Sequence, residues 1–180
     1  TGFGLNVDIT KGVFDRFRSL PISRIAPLAG RILADTVKQA WSMAVLLGVG
    51  MLIGFRVQTG ALALLTAFLL LLAFALLVSW ASVFIGLSVQ EPEKVQIFGF
   101  TIIFPLSFLS NAFIPTLTGI PEWLQFVMRN NPVTQLVTAT RGLLVGGQPV
   151  LEPALITLAW GVGIAAVFIP LSIRQFRRRA

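Results

Sequence analysis

The sequence contains no cysteine and no histidine, and only 12% of its 180 residues are charged. Without cysteine there is no disulfide framework, and any metal site built from cysteine or histidine is excluded. The absence of histidine also removes the most common general acid–base residue of enzymes. Soluble domains carry about 25% charged residues, so the composition is not that of a soluble domain.

Two further absences concern catalysis. The chain has no phosphate-binding loop of the form Gly-x-x-x-x-Gly-Lys-Ser/Thr, so it does not bind ATP through that motif. The seven acidic residues lie outside the long apolar stretches or at their ends: Asp8, Asp15, Asp35, Glu91, Glu93, Glu122 and Glu152. No carboxylate pair is placed at mid-membrane, which argues against an intramembrane protease or a proton relay. We therefore predict no catalytic residue, no cofactor site and no metal site.

Long apolar stretches dominate what is present. Hydrophobic residues make up 56% of the chain, and the mean hydropathy is +0.87. Four stretches are each about long enough to cross a bilayer as a helix, at 34–55, 61–87, 95–114 and 154–173. Helices are required because backbone groups find no water in the hydrocarbon region. The sequence thus predicts an all-α, polytopic membrane protein with four transmembrane helices in a single domain, 1–180.

Lysine and arginine indicate the orientation. With four crossings, eleven of the 14 basic residues fall on one side, including the tail 174–180, and three fall on the other side. The positive-inside rule then places both ends of the chain on the cytoplasmic side of the membrane. The net charge of +7 could suggest nucleic acid, but basic residues beside apolar segments are typical of contact with lipid headgroups.

The segment Thr10–Leu20 has the spacing of a short amphipathic helix. One face carries the apolar residues Val13, Phe14, Phe17 and Leu20, and Pro21 ends the segment. A helix lying on the membrane and a helix docked in a groove of a cytoplasmic partner fit this pattern equally well. The residues before it are loop-like. After it, Asp35 is spaced to pair with Arg31 and Lys38 on one helix.

The connection 115–153 on the outer side is too apolar for a free loop. Glu122–Arg129 is amphipathic, and Pro132 opens a second helical stretch that Gly146 and Gly147 end. We expect two short helices that re-enter the outer leaflet or lie on its surface. The polar residues Asn130, Asn131, Gln135 and Arg141 would need partners in the helix bundle, or water, there.

Uncharged polar residues in the apolar stretches either bond between helices or line a substrate path. We select Ser79, Ser107, Phe108 and Asn111 as candidates for such a path. Asn111 is the strongest, because an amide near the helix that Pro105 kinks has several groups to satisfy.

The run KGVFDRFRSLPISR at residues 11–24 is similar to a segment of ABC-2 type transporter permeases, most closely the daunorubicin-resistance (DrrB-like) group of bacterial drug and lipid exporters. Further matches in the same order and at approximate family spacing are NAFIP at 111–115, PEWL at 121–124, NPVT at 131–134 and RG at 141–142. Each motif is weak alone, but together they are fairly specific.

The resemblance implies that 10–24 is a cytoplasmic coupling helix seated on a separate ABC ATPase subunit, which binds the ATP and Mg. The implied contact residues are Lys11, Val13, Phe14, Asp15, Phe17, Arg18, Leu20 and Pro21. It further implies a second permease chain, identical or different, and outward movement of an amphipathic drug, natural product or lipid. The membrane it implies is the bacterial cytoplasmic (inner) membrane.

Family members have six spans, whereas four are predicted here. The resemblance therefore implies that two spans precede the coupling helix and that the sequence is part of a longer protein. Two other functions use the same features differently. A membrane scaffold would need only the segment that recruits a cytoplasmic partner, and a membrane-embedded enzyme would need an acid–base or metal cluster that the stretches lack.

Overall fold

The computed structural model describes residues 1–11, 26–114 and 119–179, and every regular element in these ranges is a helix. The seven helices are α1 (Gly2–Thr10), α2 (Ala26–Ile53), α3 (Ala61–Ser88), α4 (Pro92–Phe108), α5 (Glu122–Asn130), α6 (Pro132–Leu144) and α7 (Leu151–Arg179). The predicted all-α class is confirmed. Beyond Lys11, the predicted coupling helix lies outside the described residues.

Within the part of the chain that the structure describes, three helices are long and apolar enough to cross a membrane. They contain the segments Ala29–Ile53, Ala61–Ser88 and Leu151–Phe176. These segments correspond to the first, second and fourth predicted stretches, so the chain is a multi-pass membrane protein.

The helix α4 is shorter than the third predicted stretch. It has 17 residues, which gives a length of about 25 Å, below the roughly 30 Å of a hydrocarbon core. It ends at Phe108 rather than at Ile114, three residues after the internal Pro105. There the Ser110 hydroxyl donates to the Ser107 carbonyl, a local bond that competes with helix continuation. A crossing by this segment stays a prediction.

The helix α1 is formed by residues 2–10, whose sequence is loop-like. Leu5 is fully buried and Asn6 is 1% exposed. Glycine weakens a helix by about 1 kcal/mol, but both glycines of α1 lie where neighbouring groups approach closely. A Cβ atom on Gly2 would lie 2.1 Å from the Ser82 carbonyl oxygen. The expectation of a loop was wrong because tertiary packing overrides the local propensity.

Two short helices lie where the outer connection predicts them. α5 covers the amphipathic stretch, and α6 opens with Pro132 in its first turn. Gly146 and Gly147 follow α6 with φ angles of 84° and 74°, in the left-handed region that favours glycine. The chain can therefore leave α6 at this point without strain.

The chain divides into two compact units. Unit 1 comprises Thr1–Ser42, Ala75–Phe100 and Val162–Ala180, and unit 2 comprises Met43–Phe74 and Thr101–Gly161. α2, α3, α4 and α7 each contribute one segment to each unit.

The hydrophobic core of unit 1 joins four helices. α1 supplies Leu5, α2 supplies Ile32, α3 supplies Val83 and Leu87, and α7 supplies Phe176, with Trp80 packed against this cluster. The short α1 is therefore an integral part of the unit.

Gly86 is the position at which α3 meets α1. A Cβ atom there would lie 2.4 Å from the Gly2 carbonyl oxygen. Gly163 in α7 is the contrasting case, since a Cβ atom there meets nothing within 4 Å.

We predict that Gly86→Ala lowers the free energy of unfolding of the chain by about 1–3 kcal/mol. The added methyl group overpacks the contact between α1 and α3, so α1 must move away from α3. The matched change Gly163→Ala adds the same atom in open space and should stabilise α7 by up to about 1 kcal/mol. The thermal unfolding midpoints of the two purified variants in detergent should therefore move in opposite directions. A rise in both midpoints would contradict the close α1–α3 contact.

Candidate functional site

Of the eight residues that the family resemblance assigns to the ATPase contact, Lys11 is described. It is an exposed turn residue directly after α1, and its backbone N–H donates to the Val7 carbonyl at 3.0 Å. The other seven lie outside the described residues: Val13, Phe14, Asp15, Phe17, Arg18, Leu20 and Pro21. Their role in the ATPase contact stays a prediction. The structure shows how α1, the helix that precedes them, is attached to its neighbours.

Asn6 connects α1 to the end of α3. Its Nδ2 atom donates to the carbonyl oxygens of Gly86 at 2.8 Å and Val89 at 2.6 Å. Gly86 lies in the last turn of α3, where carbonyl groups lack a partner within the helix, and Val89 follows that turn. The Asn6 side chain thus caps α3 from a different helix.

An ion-pair network connects α1 to α2. The Arg31 guanidinium pairs with Asp8 of α1 and, through Nε, with Asp35 at 3.5 Å. Lys38 is 4.0 Å from Asp35. The pairing of Asp35 with Arg31 and Lys38 is confirmed, because it follows from spacing along one helix. The Asp8 contact could not be predicted in this way, because it requires the fold to bring α1 against α2.

A second cluster lies in unit 2, around Asn131, which is 5% exposed. Its Nδ2 atom donates to the carbonyl oxygens of Leu106 at 2.7 Å and Leu109 at 3.0 Å. Its Oδ1 atom accepts from the Val133 N–H at 2.9 Å, as the N-cap of α6. Asn131 therefore holds the end of α4 against the start of α6, which answers the need for polar partners.

Asn111 reinforces the same junction. Its side-chain Nδ2 donates to the Thr138 hydroxyl at 2.8 Å, and its backbone N–H lies 3.4 Å from the Thr134 hydroxyl. The side-chain Oδ1 is buried and has no hydrogen-bond partner among the described residues. Asn111 therefore keeps one acceptor available beside the end of α4.

Three phenylalanine rings stack at the same end of α4. Phe104 and Phe108 have ring centroids 4.2 Å apart, and Phe108 and Phe113 have centroids 4.6 Å apart with an interplanar angle of 5°. The side chains are 43%, 45% and 59% exposed. An accessible stack of this kind offers a face on which a flat apolar molecule can lie. We call Phe104, Phe108 and Phe113 the phenylalanine stack.

Three of the four candidate path residues lie together in unit 2, namely Ser107, Phe108 and Asn111. Ser79 belongs to unit 1, and its hydroxyl donates to the Leu76 carbonyl of its own helix at 2.7 Å. Sequence reasoning missed Phe104 and Phe113, although the spacing of Phe104 and Phe108 by one helical turn was a readable signal.

Comparison with known proteins gives a consistent family. The model of the ABC-2 type transporter family matches residues 1–145. The daunorubicin resistance ABC transporter permease protein DrrB1 of Streptomyces coeruleorubidus is 38% identical over 99% of this chain and 62% of its own length. The probable doxorubicin resistance ABC transporter permease protein DrrC of Mycobacterium tuberculosis is 30% identical over 90% of this chain and 58% of its own length.

The chain thus spans about three-fifths of the length of these curated relatives. No solved structure matches it. The family model covers α1 to α6, and the sequence motifs that suggested the resemblance all lie within the matched range. The chain belongs to the ABC-2 type transporter family.

Proposed function

We propose that this chain is part of the permease subunit of an exporter that moves amphipathic molecules outward, using ATP hydrolysed by a separate subunit. The observation that carries the proposal is the 38% identity with a daunorubicin resistance permease over 99% of the chain. The three long apolar helices support a membrane-spanning role. The chain has no phosphate-binding loop of its own, which supports a partner that binds ATP and Mg.

The proposed orientation places both ends of this chain in the cytoplasm. The distribution of lysine and arginine supports it. The proposal takes α4 as the third of four crossings, before the helices α5 and α6. A second permease chain would complete the transporter.

The proposed contact with the ATPase is the amphipathic segment 10–24. Its position supports the assignment, since it follows a helix that is packed into unit 1. An apolar face on a cytoplasmic segment suits a groove on a partner protein.

The proposed substrate path passes the phenylalanine stack and Asn111. Exposed aromatic rings can hold a flat or amphipathic molecule by stacking. The buried Asn111 Oδ1, which no described residue bonds, can accept a hydrogen bond from such a molecule once that atom becomes accessible. A scaffold would make no use of such a stack.

We predict that Phe14→Asp abolishes association with the ATPase subunit, because it places a charge on the apolar face of the predicted helix and removes an aromatic anchor worth at least about 2 kcal/mol. Ser19→Asp is the matched control, since the predicted helical spacing puts residue 19 on the opposite face. Co-purification with the ATPase measures the effect. Equal recovery of the ATPase with both variants would refute the contact.

We predict that Phe108→Ala raises the daunorubicin concentration needed for half-maximal ATP-dependent transport in proteoliposomes by between about twofold and tenfold. Phe108 is the middle ring of the stack, so its removal takes from the two outer rings a stacking contact of about 0.5–1.5 kcal/mol that holds them in place for the substrate. Phe98→Ala is the matched control, because Phe98 lies on the same helix, is 52% exposed and makes no ring contact among the described residues. Identical curves for the two variants would exclude the stack from the path.

A further inference from the structure

The helix α1 stands directly before the predicted ATPase contact. α1 ends at Thr10, and Lys11, the first residue assigned to the contact, is its immediate neighbour. Since no spacer separates them, a displacement of the contact segment acts on α1 at this end, as it acts at the other end on α2, which begins at Ala26. What α1 is attached to then decides where that displacement goes.

Asn6 attaches α1 to α3 through hydrogen bonds, and apolar packing alone would not require an asparagine at this position. A fully buried amide is disfavoured unless its groups are bonded. Both hydrogen bonds of the Asn6 Nδ2 go to the end of α3, at Gly86 and Val89. A leucine of similar volume would fill the space but would leave these two carbonyl groups without their donor.

The other half of the Asn6 amide distinguishes it from a purely structural cap. Asn131 uses its Oδ1 as an acceptor as well as both donor bonds. The Oδ1 of Asn6 is buried with no partner among the described residues. An unmet buried acceptor destabilises the packed state, and such groups call for an explanation other than stability.

A second attachment leads from α1 to α2. Asp8 pairs with Arg31, and Arg31 also reaches Asp35 on its own helix. The side chains of Asp8 and Arg31 are 29% and 27% exposed, so water screens this pair in part. α1 is thus held by one buried amide on α3 and by one partly solvated ion pair on α2.

We propose that Asn6 is a positioning residue for energy coupling: with the Asp8–Arg31 pair, it transmits movement of the ATPase contact to α3 and α2. The inference rests on the proposed ATPase partner and goes beyond it by naming the residues that carry the coupling. Without these attachments, ATP hydrolysis continues while α1 moves independently of the membrane helices. The measurable consequence is a loss of transport per ATP.

The test uses the complete transporter, permease with its ATPase, in proteoliposomes with daunorubicin as the transported probe. The readout is the ratio of daunorubicin moved to ATP hydrolysed, together with ATPase co-purification. Asn6→Leu should lower the ratio about fivefold or more, the lower range of coupling between distinct sites, while the ATPase still co-purifies. The matched control is Asn130→Leu, at an exposed asparagine bonded within its own helix to the Phe126 carbonyl, and its ratio should equal that of the wild type.

Asp8→Asn provides a second test that preserves the shape of the side chain. It should lower the same ratio by about twofold to fivefold, since the pair is partly solvated. Glu91→Gln is its control, because Glu91 forms an exposed pair with Lys94 at 2.8 Å in the same unit. Should Asn6→Leu fail to accumulate in the membrane, the Asp8→Asn result decides.

The proposed exporter function and the coupling role of Asn6 are overturned by different results. A wild-type transporter without ATP-dependent transport would overturn the proposed function, and the coupling role with it. A wild-type transporter that works, with unchanged transport per ATP in Asn6→Leu and Asp8→Asn, would overturn the coupling role alone.

Discussion

Helix ends leave carbonyl groups that need donors, and in an apolar environment water cannot supply them. Two buried asparagines meet this need in the same register. Asn6 donates to Gly86 and Val89 at the end of α3, and Asn131 donates to Leu106 and Leu109 at the end of α4. In each case the accepting residues are the third from the end of the helix and the first beyond it. The packing of α1 in one unit and of α6 in the other depends on these bonds.

The two asparagines have different consequences for function. Asn131 is fully bonded and fixes the junction that presents the phenylalanine stack, which suits a site that must keep its shape. The Oδ1 acceptor of Asn6 has no partner among the described residues, and Asn6 lies on the helix that leads into the predicted ATPase contact. An asparagine therefore fixes a helix junction in unit 2, whereas in our proposal the asparagine in unit 1 transmits movement.

The sequence predicted the long helices, the outer helices and the pairing of Asp35, because apolar length, proline and glycine positions and helical spacing are local signals. It did not predict α1, because two glycines lower the helix propensity of this segment. The stability of α1 comes from contacts with residues far along the chain. Nor did the sequence predict the end of α4 at Phe108, where the Ser110 hydroxyl donates to the Ser107 carbonyl although apolar content alone would continue the helix. Among the candidates for the substrate path, Ser79 lies in unit 1 and the other three residues lie in unit 2. The sequence did not predict this division, because hydropathy does not report which residues share a unit.

The central claim is that α1 and the end of α3 move as one body. This chain contains no cysteine, so once any cysteine elsewhere in the transporter is replaced, spin labels can be placed at Phe3→Cys, an exposed position on α1, and at Ser88→Cys, at the end of α3. Electron spin resonance would measure the distance between them in the assembled transporter, with labelled permease diluted into unlabelled chain. If α1 and the end of α3 move as one body, the distance distribution is narrow and is the same with and without ATP. A distribution that broadens or shifts on addition of ATP would contradict it.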